Sequence, residues 1–363
     1  MTPDSERTAA YRSRVRGCLL GGALGDALGA PVEFHTLRQI RAAHGPRGVR
    51  SHADPRARVT DDTQMTLWTV EGLLRARSRQ AVHGGEFDPV PAVHDAYLRW
   101  YHTQHAPAPT GGHTGWLAGR EWLYAQRAPG TTCLTALREA DLGRQGRGEA
   151  AANASKGCGG VMRSAPFGLL PAHVATDADV FDWADRAAGL THGHPTGRLA
   201  SGATALLVRR LLAGDGLDAA LDAVLAALRT RPGHEETTKA LVAARTAAAD
   251  GTPDAETVES FGGGWTAEEA LAIAVYAALV HRTPEEVTDA LALAVTHSGD
   301  SDSTGAVCGN LLGARHGEAA LPPALADGLE GRADLLDLAD DLVAAFTAAP
   351  SAGAQWRRRH PAD

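Results

Sequence analysis

The 363-residue chain has no excess of basic charge. Its 35 Lys and Arg stand against 43 Asp and Glu, a formal net charge of −8 with a pI near 6.0. A protein that grips phosphate backbones needs a dominant basic surface, so nucleic acid is not an expected partner. Cysteine pairs are missing too. Cys18, Cys133, Cys158 and Cys308 are scattered, with no C-x-x-C spacing, which argues against a disulfide framework and suits a reducing cytoplasm. No long apolar run occurs. The stretch from Val15 to Ala30 is broken by five glycines, Arg16 and Asp26, and Met1 to Arg16 is polar. Neither a membrane span nor an export segment is expected. Alternating β-branched runs are scarce. The motifs G-x-S-x-G, G-x-x-x-x-G-K-[ST] and H-E-x-x-H are absent, which removes the commonest serine-hydrolase, nucleotide-triphosphatase and zinc-protease readings.

What is present reads as all-α. Ala and Leu abound, in a Lys-poor, Arg-rich composition of the kind found in GC-rich bacterial genomes. Val93, Ala96, Tyr97, Trp100 and Tyr101 recur at helical spacing within 89–104. Val180, Trp183, Ala187 and Leu190 do the same within 177–190. Capping-box patterns at Thr266–Glu269 and Thr283–Glu286 predict two more helix starts, the second with Pro284 at the first helical position. Further helices are predicted at 12–28, 63–79, 114–127, 197–213, 216–229, 234–249, 304–316 and 332–348. Between them lie long loops: 35–59 with six arginines, 103–113, 141–160, and 250–265 with Gly262-Gly263-Gly264. Loops this long inside a helical domain are often functional, although an arginine-rich one is more commonly a solvated surface. No internal repeat or Pro/Ser linker splits the chain. The expectation is one large domain over 14–348, with a polar N-terminal segment at 1–13 and a polar C-terminal tail at 349–363, as a monomer.

The most specific chemistry lies in two acidic clusters far apart in sequence, Thr60-Asp61-Asp62-Thr63 and Asp300-Ser301-Asp302-Ser303-Thr304. Taken alone, each could simply cap a helix, the commoner role for Asp, Ser and Thr. The second also imitates the start of an EF-hand loop, but the position that needs a bidentate Glu is Leu311, so that reading fails. If folding joins the clusters, four carboxylates and two hydroxyls form an oxygen-rich set suited to two hard divalent cations.

The other candidates are ambiguous one by one. Gly22, Gly25 and Gly29 suit close helix packing; no strand precedes them, so they are not a dinucleotide fingerprint. Glu33 follows Pro31 where a helix should end. Gly157, Gly159 and Gly160 could form a nest of backbone N–H groups for phosphate oxygens, or a plain turn. Cys158 between them has no evident activating partner. His192 and His194 lack the spacing of a zinc pair and suit hydrogen bonding to a ligand hydroxyl or to backbone. His297 is open in the same way.

Five motifs in order then carry a resemblance: Gly25-Asp-Ala-Leu-Gly29, Thr60-Asp-Asp-Thr-Gln-Met65, Gly157-Cys-Gly-Gly-Val-Met-Arg163, Thr191-His-Gly-His-Pro-Thr-Gly197 and His297-Ser-Gly-Asp-Ser-Asp-Ser-Thr304. Over roughly 14–317 the chain resembles the ADP-ribosylglycohydrolase family. The Cys-Gly-Gly-Val-Met-Arg, His-Pro-Thr-Gly and Asp-Ser-Asp-Ser-Thr wording is closest to the arginine-specific branch. The resemblance implies a single large orthogonal helical domain with a binuclear metal cleft. It implies two Mg²⁺ ions (Mn²⁺ possible), with Thr60, Asp61, Asp62, Asp300, Asp302 and Ser303 as ligands and Asp62 and Asp302 also counted as catalytic. Glu33 would position or activate water or move a proton at the scissile bond. Gly157, Cys158, Gly159, Gly160 and Met162 would line the diphosphate, His192 the distal ribose, and the loop around Phe261 the adenosine. The implied partner is the ADP-ribose moiety of an ADP-ribosylated protein, and the implied reaction is hydrolysis of the N-glycosidic bond to arginine. Another ADP-ribose linkage (serine, O-acetyl-ADP-ribose, nucleic acid) and a non-catalytic ADP-ribose binder are the alternatives. Two departures stand out. Ser303 sits at the last ligand position, where many members, with Asp-Thr-Asp-Thr, have Thr, and Thr110–Gly115 lacks the acid often found near the substrate.

Overall fold

The computed structural model describes residues 3–111, 114–347 and 353–362. Among them it holds seventeen α-helices, several short 3₁₀ turns and no strand. In chain order the helices are α1 (Pro3–Gly29), α2 (Leu37–His44), α3 (Asp61–His83), α4 (Val90–Thr103), α5 (Thr131–Asp141), α6 (Ala165–Gly168), α7 (Asp177–Gly189), α8 (Pro195–Leu212), α9 (Leu217–Leu228), α10 (Glu235–Ala248), α11 (Ala255–Glu259), α12 (Ala267–Val280), α13 (Val287–Val295), α14 (Ser301–His316), α15 (Pro323–Ala326), α16 (Arg332–Thr347) and α17 (Ala354–Arg359). One apolar cluster runs from Val15 to Phe346. No helix among the described residues is long and apolar enough to cross a membrane.

The most intimate pairing is α1 against α14, and glycine makes it possible. Gly17, Gly21, Gly25 and Gly29 repeat every four residues, as do Gly305, Gly309, Gly313 and Gly317. A four-residue repeat places each set on one helix face. The two rows meet in antiparallel register. A Cβ on Gly25 would lie 1.9 Å from the Gly305 carbonyl oxygen, one on Gly309 1.9 Å from that of Gly21, and one on Gly313 1.9 Å from that of Gly17. The close-packing reading of Gly22, Gly25 and Gly29 therefore holds, over a longer row than the motif suggests. This approach brings the C-terminal end of α1 beside the first turn of α14.

Several local expectations change. α1 starts at Pro3 rather than 12 and crosses residues 13 and 14 unbroken. The predicted boundary at 348/349 lies outside the described residues. The expected helix at 114–127 is instead two 3₁₀ turns, separated by Arg120 in an extended conformation. The guanidinium carbons of Arg120 and Arg359 lie 4.1 and 3.8 Å from the Trp116 ring centre, so the C-terminal tail docks on this segment. α2 and α5 form inside stretches without a helix prediction. Of the two capping boxes, only that of Thr283 closes, with its N–H donating to Glu286 Oε2 at 3.0 Å. Thr266 precedes α12 in extended geometry, but its buried hydroxyl has no partner among the described residues; its backbone instead bridges to Gly157.

Candidate active site

Three chain segments converge on one cavity of about 260 Å³: the first turn of α3, the first turn of α14, and the turn after α1 that carries Glu33. Helix N-termini favour acidic side chains because their first N–H groups lack helical acceptors. Thr60 caps α3, its hydroxyl accepting from the Asp62 N–H at 3.3 Å. Asp300 caps α14, accepting from the Ser303 N–H at 3.2 Å. Capping and clustering thus coexist.

Asp26, within α1, is what fastens α3 to this place. It has no exposed surface. Its carboxylate accepts from the Thr60 N–H at 3.0 Å to each oxygen, from the Thr63 N–H at 3.1 Å and from the Thr63 hydroxyl. The sequence reading missed its role. The available signal was a lone acid in a buried, glycine-rich helix.

Oxygens of Glu33, Asp300 and Asp302 all lie within 4.8 Å of one another, and Asp61 and Asp62 line the same cavity. Asp61 Oδ2 accepts weakly from the Gly130 N–H at 3.4 Å. Asp62 Oδ2 is buried with no hydrogen-bond partner among the described residues. Burial first, and repulsion from Asp302 second, push Glu33 up to about 8 and Asp26 up to about 7. The same two causes hold Asp61, Asp62 and Asp300 well above the ordinary carboxylate range. Buried acids this close cannot all ionise without added positive charge. An all-oxygen donor set with an orphaned buried carboxylate oxygen fits a hard divalent cation.

The opposite wall is the loop from Ser155 to Met162. The Cys158 N–H is committed to the Trp265 carbonyl at 3.1 Å and the Gly157 N–H to Ser155 Oγ at 3.3 Å. A nest of three donors therefore does not form; Gly159 and Gly160 retain N–H groups without acceptors among the described residues. The Cys158 thiol donates to Asp300 Oδ2 at 2.7 Å, and burial together with that carboxylate keeps it protonated, a donor rather than a nucleophile. His192 enters from the turn before α8. Arg163 donates to Thr191 Oγ1 at 2.6 Å, and that oxygen lies 2.8 Å from His192 Nδ1. The Thr191 hydroxyl proton has two acceptors in reach, His192 Nδ1 at 2.8 Å and the Ala188 carbonyl at 3.4 Å; the imidazole is the closer, which favours the tautomer with the ring proton on Nε2. Burial and Arg163 push His192 down to about 3, leaving a neutral imidazole that donates from Nε2.

Glu33, Asp61, Asp62, Asp300, Asp302, Ser303, Gly157, Cys158, Gly159, Met162 and His192 all line the cavity. Three other candidates stand apart. The Thr60 hydroxyl is used as a cap. Gly160 packs toward Ala188 and Ser201. Phe261 packs at a tilt against Tyr276, with ring centres 5.3 Å apart; Trp265 from the same loop lines the cavity instead. The other two candidate histidines make bonds within the fold: His194 Nδ1 accepts from the Thr196 N–H at 3.2 Å, and buried His297 pairs with Thr304 at 2.9 Å. The segment from Gly130 to Cys133 also borders the cavity, and no sequence motif marks it.

With this fold and cavity established, comparison with known proteins gives a class. The family model for ADP-ribosylglycohydrolase matches residues 7–351, and the chain belongs to that family, whose members hydrolyse ADP-ribosyl linkages with the help of metal. Two curated relatives carry specific descriptions. The ADP-ribosyl-[dinitrogen reductase] glycohydrolase of Rhodospirillum rubrum is 28% identical over 211 residues, 57% of this chain and 60% of that protein. The ADP-ribosylhydrolase ARH3 of Bos taurus is 25% identical over 369 residues, 92% of this chain and 93% of that protein. A solved structure described as an ADP-ribosylglycohydrolase-related protein complex matches with a TM-score of 0.62 at 26% identity, covering 93% of this chain and 99% of that one.

Proposed function

We propose that the protein removes ADP-ribose from arginine side chains of a modified protein in the cytoplasm, using two Mg²⁺ ions, with Mn²⁺ accepted in their place. The observation that carries this reading is the meeting of both acidic clusters with Glu33 in one cavity, opposite a glycine loop and a neutral histidine. The wording of three motifs, closest to the arginine-specific branch, supports the acceptor.

Asp61, Asp62, Asp300 and Asp302, with Ser303 and the turn at Thr60, would hold the cations. Bound there, divalent ions supply Lewis acidity and an anchor for sugar hydroxyls. The chain's own groups do the rest. The Gly159 N–H, on the cavity wall, would face the diphosphate as a donor. His192 Nε2–H donates to a ribose oxygen. Glu33, whose carboxyl is held above the ordinary range first by burial, would hand a proton to the departing nitrogen and then take one from the attacking water. Positive charge that develops on the ribose is stabilised by the surrounding carboxylates. Water adds to the anomeric carbon, the C–N bond breaks, and ADP-ribose and arginine leave.

The test is a panel of ADP-ribosylated acceptors (arginine, serine, acetyl ester, nucleic acid) assayed with Mg²⁺ and with EDTA. Mg²⁺-dependent release from arginine is expected. Release that survives EDTA, or ADP-ribose binding without turnover of any acceptor, would contradict the proposal.

A further inference from the structure

Two exposed aromatic rings stack beside the cavity: Trp265 lines it, and Phe34 packs on Trp265. Phe34 is 75% exposed and Trp265 44%. Their ring centres lie 5.5 Å apart at an interplanar angle of 28°, a stacked pair. Phe34 also has a φ of 77°, a conformation rare for a bulky residue. So exposed a ring adds little to the core, and an unfavourable backbone conformation at a site edge points to a role outside folding. The Trp265 backbone is fixed beside the cavity. Its carbonyl accepts from Cys158, and Gly263, whose Cβ would fall 2.8 Å from the indole Cδ1, leaves it room.

The position of the pair selects its ligand. Phe34 directly follows Glu33, whose carboxylate groups with those of Asp300 and Asp302. The pair therefore borders the carboxylate-rich end of the cavity. In ADP-ribosyl-arginine, the planar group attached to the ribose at the scissile bond is the guanidinium; the adenine lies beyond the diphosphate and a second ribose. Five carboxylates against two divalent ions leave no net positive charge to repel a cation at the cavity edge, and the electron-rich faces of two rings attract one.

We infer that Phe34 and Trp265 form a platform on which the guanidinium of the acceptor arginine stacks, so that the pair sets preference for a planar, cationic leaving group. This inference rests on the arginine reading above. It makes Phe34 a specificity residue, and Phe34→Leu removes the ring face while keeping apolar bulk.

The experiment compares the KM for ADP-ribosyl-arginine with the Ki of free ADP-ribose, which keeps the adenosine and diphosphate but lacks the guanidinium. In Phe34→Leu, KM should rise about 3- to 10-fold, the scale of an exposed to partly desolvated cation–π contact, while Ki stays unchanged. Phe34→Trp should hold KM at or below the wild-type value. If KM and Ki rise together, the pair serves the adenosine and the inference fails; if neither moves, it fails as well. Failure of the arginine reading is seen separately, on the wild type alone, as no release from ADP-ribosyl-arginine.

Discussion

Gly309→Ala adds one methyl group at the centre of the α1–α14 contact. Its Cβ would lie 1.9 Å from the Gly21 carbonyl oxygen and 2.4 Å from the carbonyl carbon. Both are backbone atoms and cannot rotate away. To reach ordinary contact near 3.4 Å, the helices must part by roughly 1–1.5 Å, because repulsion rises steeply at short range. Overpacking of this kind costs about 1–3 kcal/mol, and the better helix propensity of Ala returns about 1 kcal/mol. The net loss of about 0–2 kcal/mol should lower Tm by no more than roughly 3 °C in a chain of this length. The larger effect should be on turnover. Asp26 rides on α1 and Asp302 on α14, so parting the helices displaces the two halves of the site. A misplacement near 1 Å can cost about 10²-fold in rate. Thermal unfolding and ADP-ribose release measured on Gly309→Ala check both figures. Gly119→Ala, whose Cβ would meet nothing within 4 Å, should move neither. Unchanged Tm and turnover in Gly309→Ala would refute the claim that the glycine rows set the approach of the two acidic clusters.

Further outcomes concern charge. Glu33 and Asp26 have folded-state values of about 8 and 7 in the metal-free protein, above their ordinary values. The folded state thus keeps protons that the unfolded chain releases, and stability falls as pH rises from about 4 through 8. Excess Mg²⁺ binds the deprotonated carboxylates, so the Tm gain on adding it should be larger at pH 8 than at pH 5.5; scanning fluorimetry showing an equal gain at both would count against the site. Asp26→Asn keeps the shape but loses the charge that accepts from Thr60 and Thr63. Loss of such charge-assisted bonds should cost about 2–3 kcal/mol in denaturant unfolding and weaken Mg²⁺ binding, although Asp26 is not among the proposed ligands. Undiminished Mg²⁺ affinity in that variant would show that Asp26 does not position α3.

The parts that could be read from sequence are those whose chemistry is local. Each acidic cluster spans a few residues, and its place at a helix N-terminus follows from the residue types that cap helices. The helical class follows from the spacing of residues such as Val93, Tyr97 and Trp100. What escaped depends on tertiary contact. Phe261 and Trp265 share one glycine-rich loop, and it is contacts with distant segments, Cys158 to the Trp265 carbonyl and Asp300 to the Gly263 carbonyl, that fix the loop with Trp265 on the cavity. Gly159 and Gly160 are adjacent and alike in sequence, yet the second packs on α7 and α8. Asp26 sits in an apolar helix where its function depends on N–H groups contributed from Thr60 and Thr63. The Thr266 box fits the motif but fails in the fold, because the Gly157 strand-like bridge fixes that backbone first.

The central claim is that clusters more than two hundred residues apart are halves of one divalent-metal site. Calorimetric titration of the metal-free protein with Mn²⁺ tests it most directly. The expected result is two ions per chain in the wild type and fewer in Asp302→Ala, with the variant still folded. Fewer than two ions in the wild type, or an unchanged stoichiometry in Asp302→Ala, would contradict it.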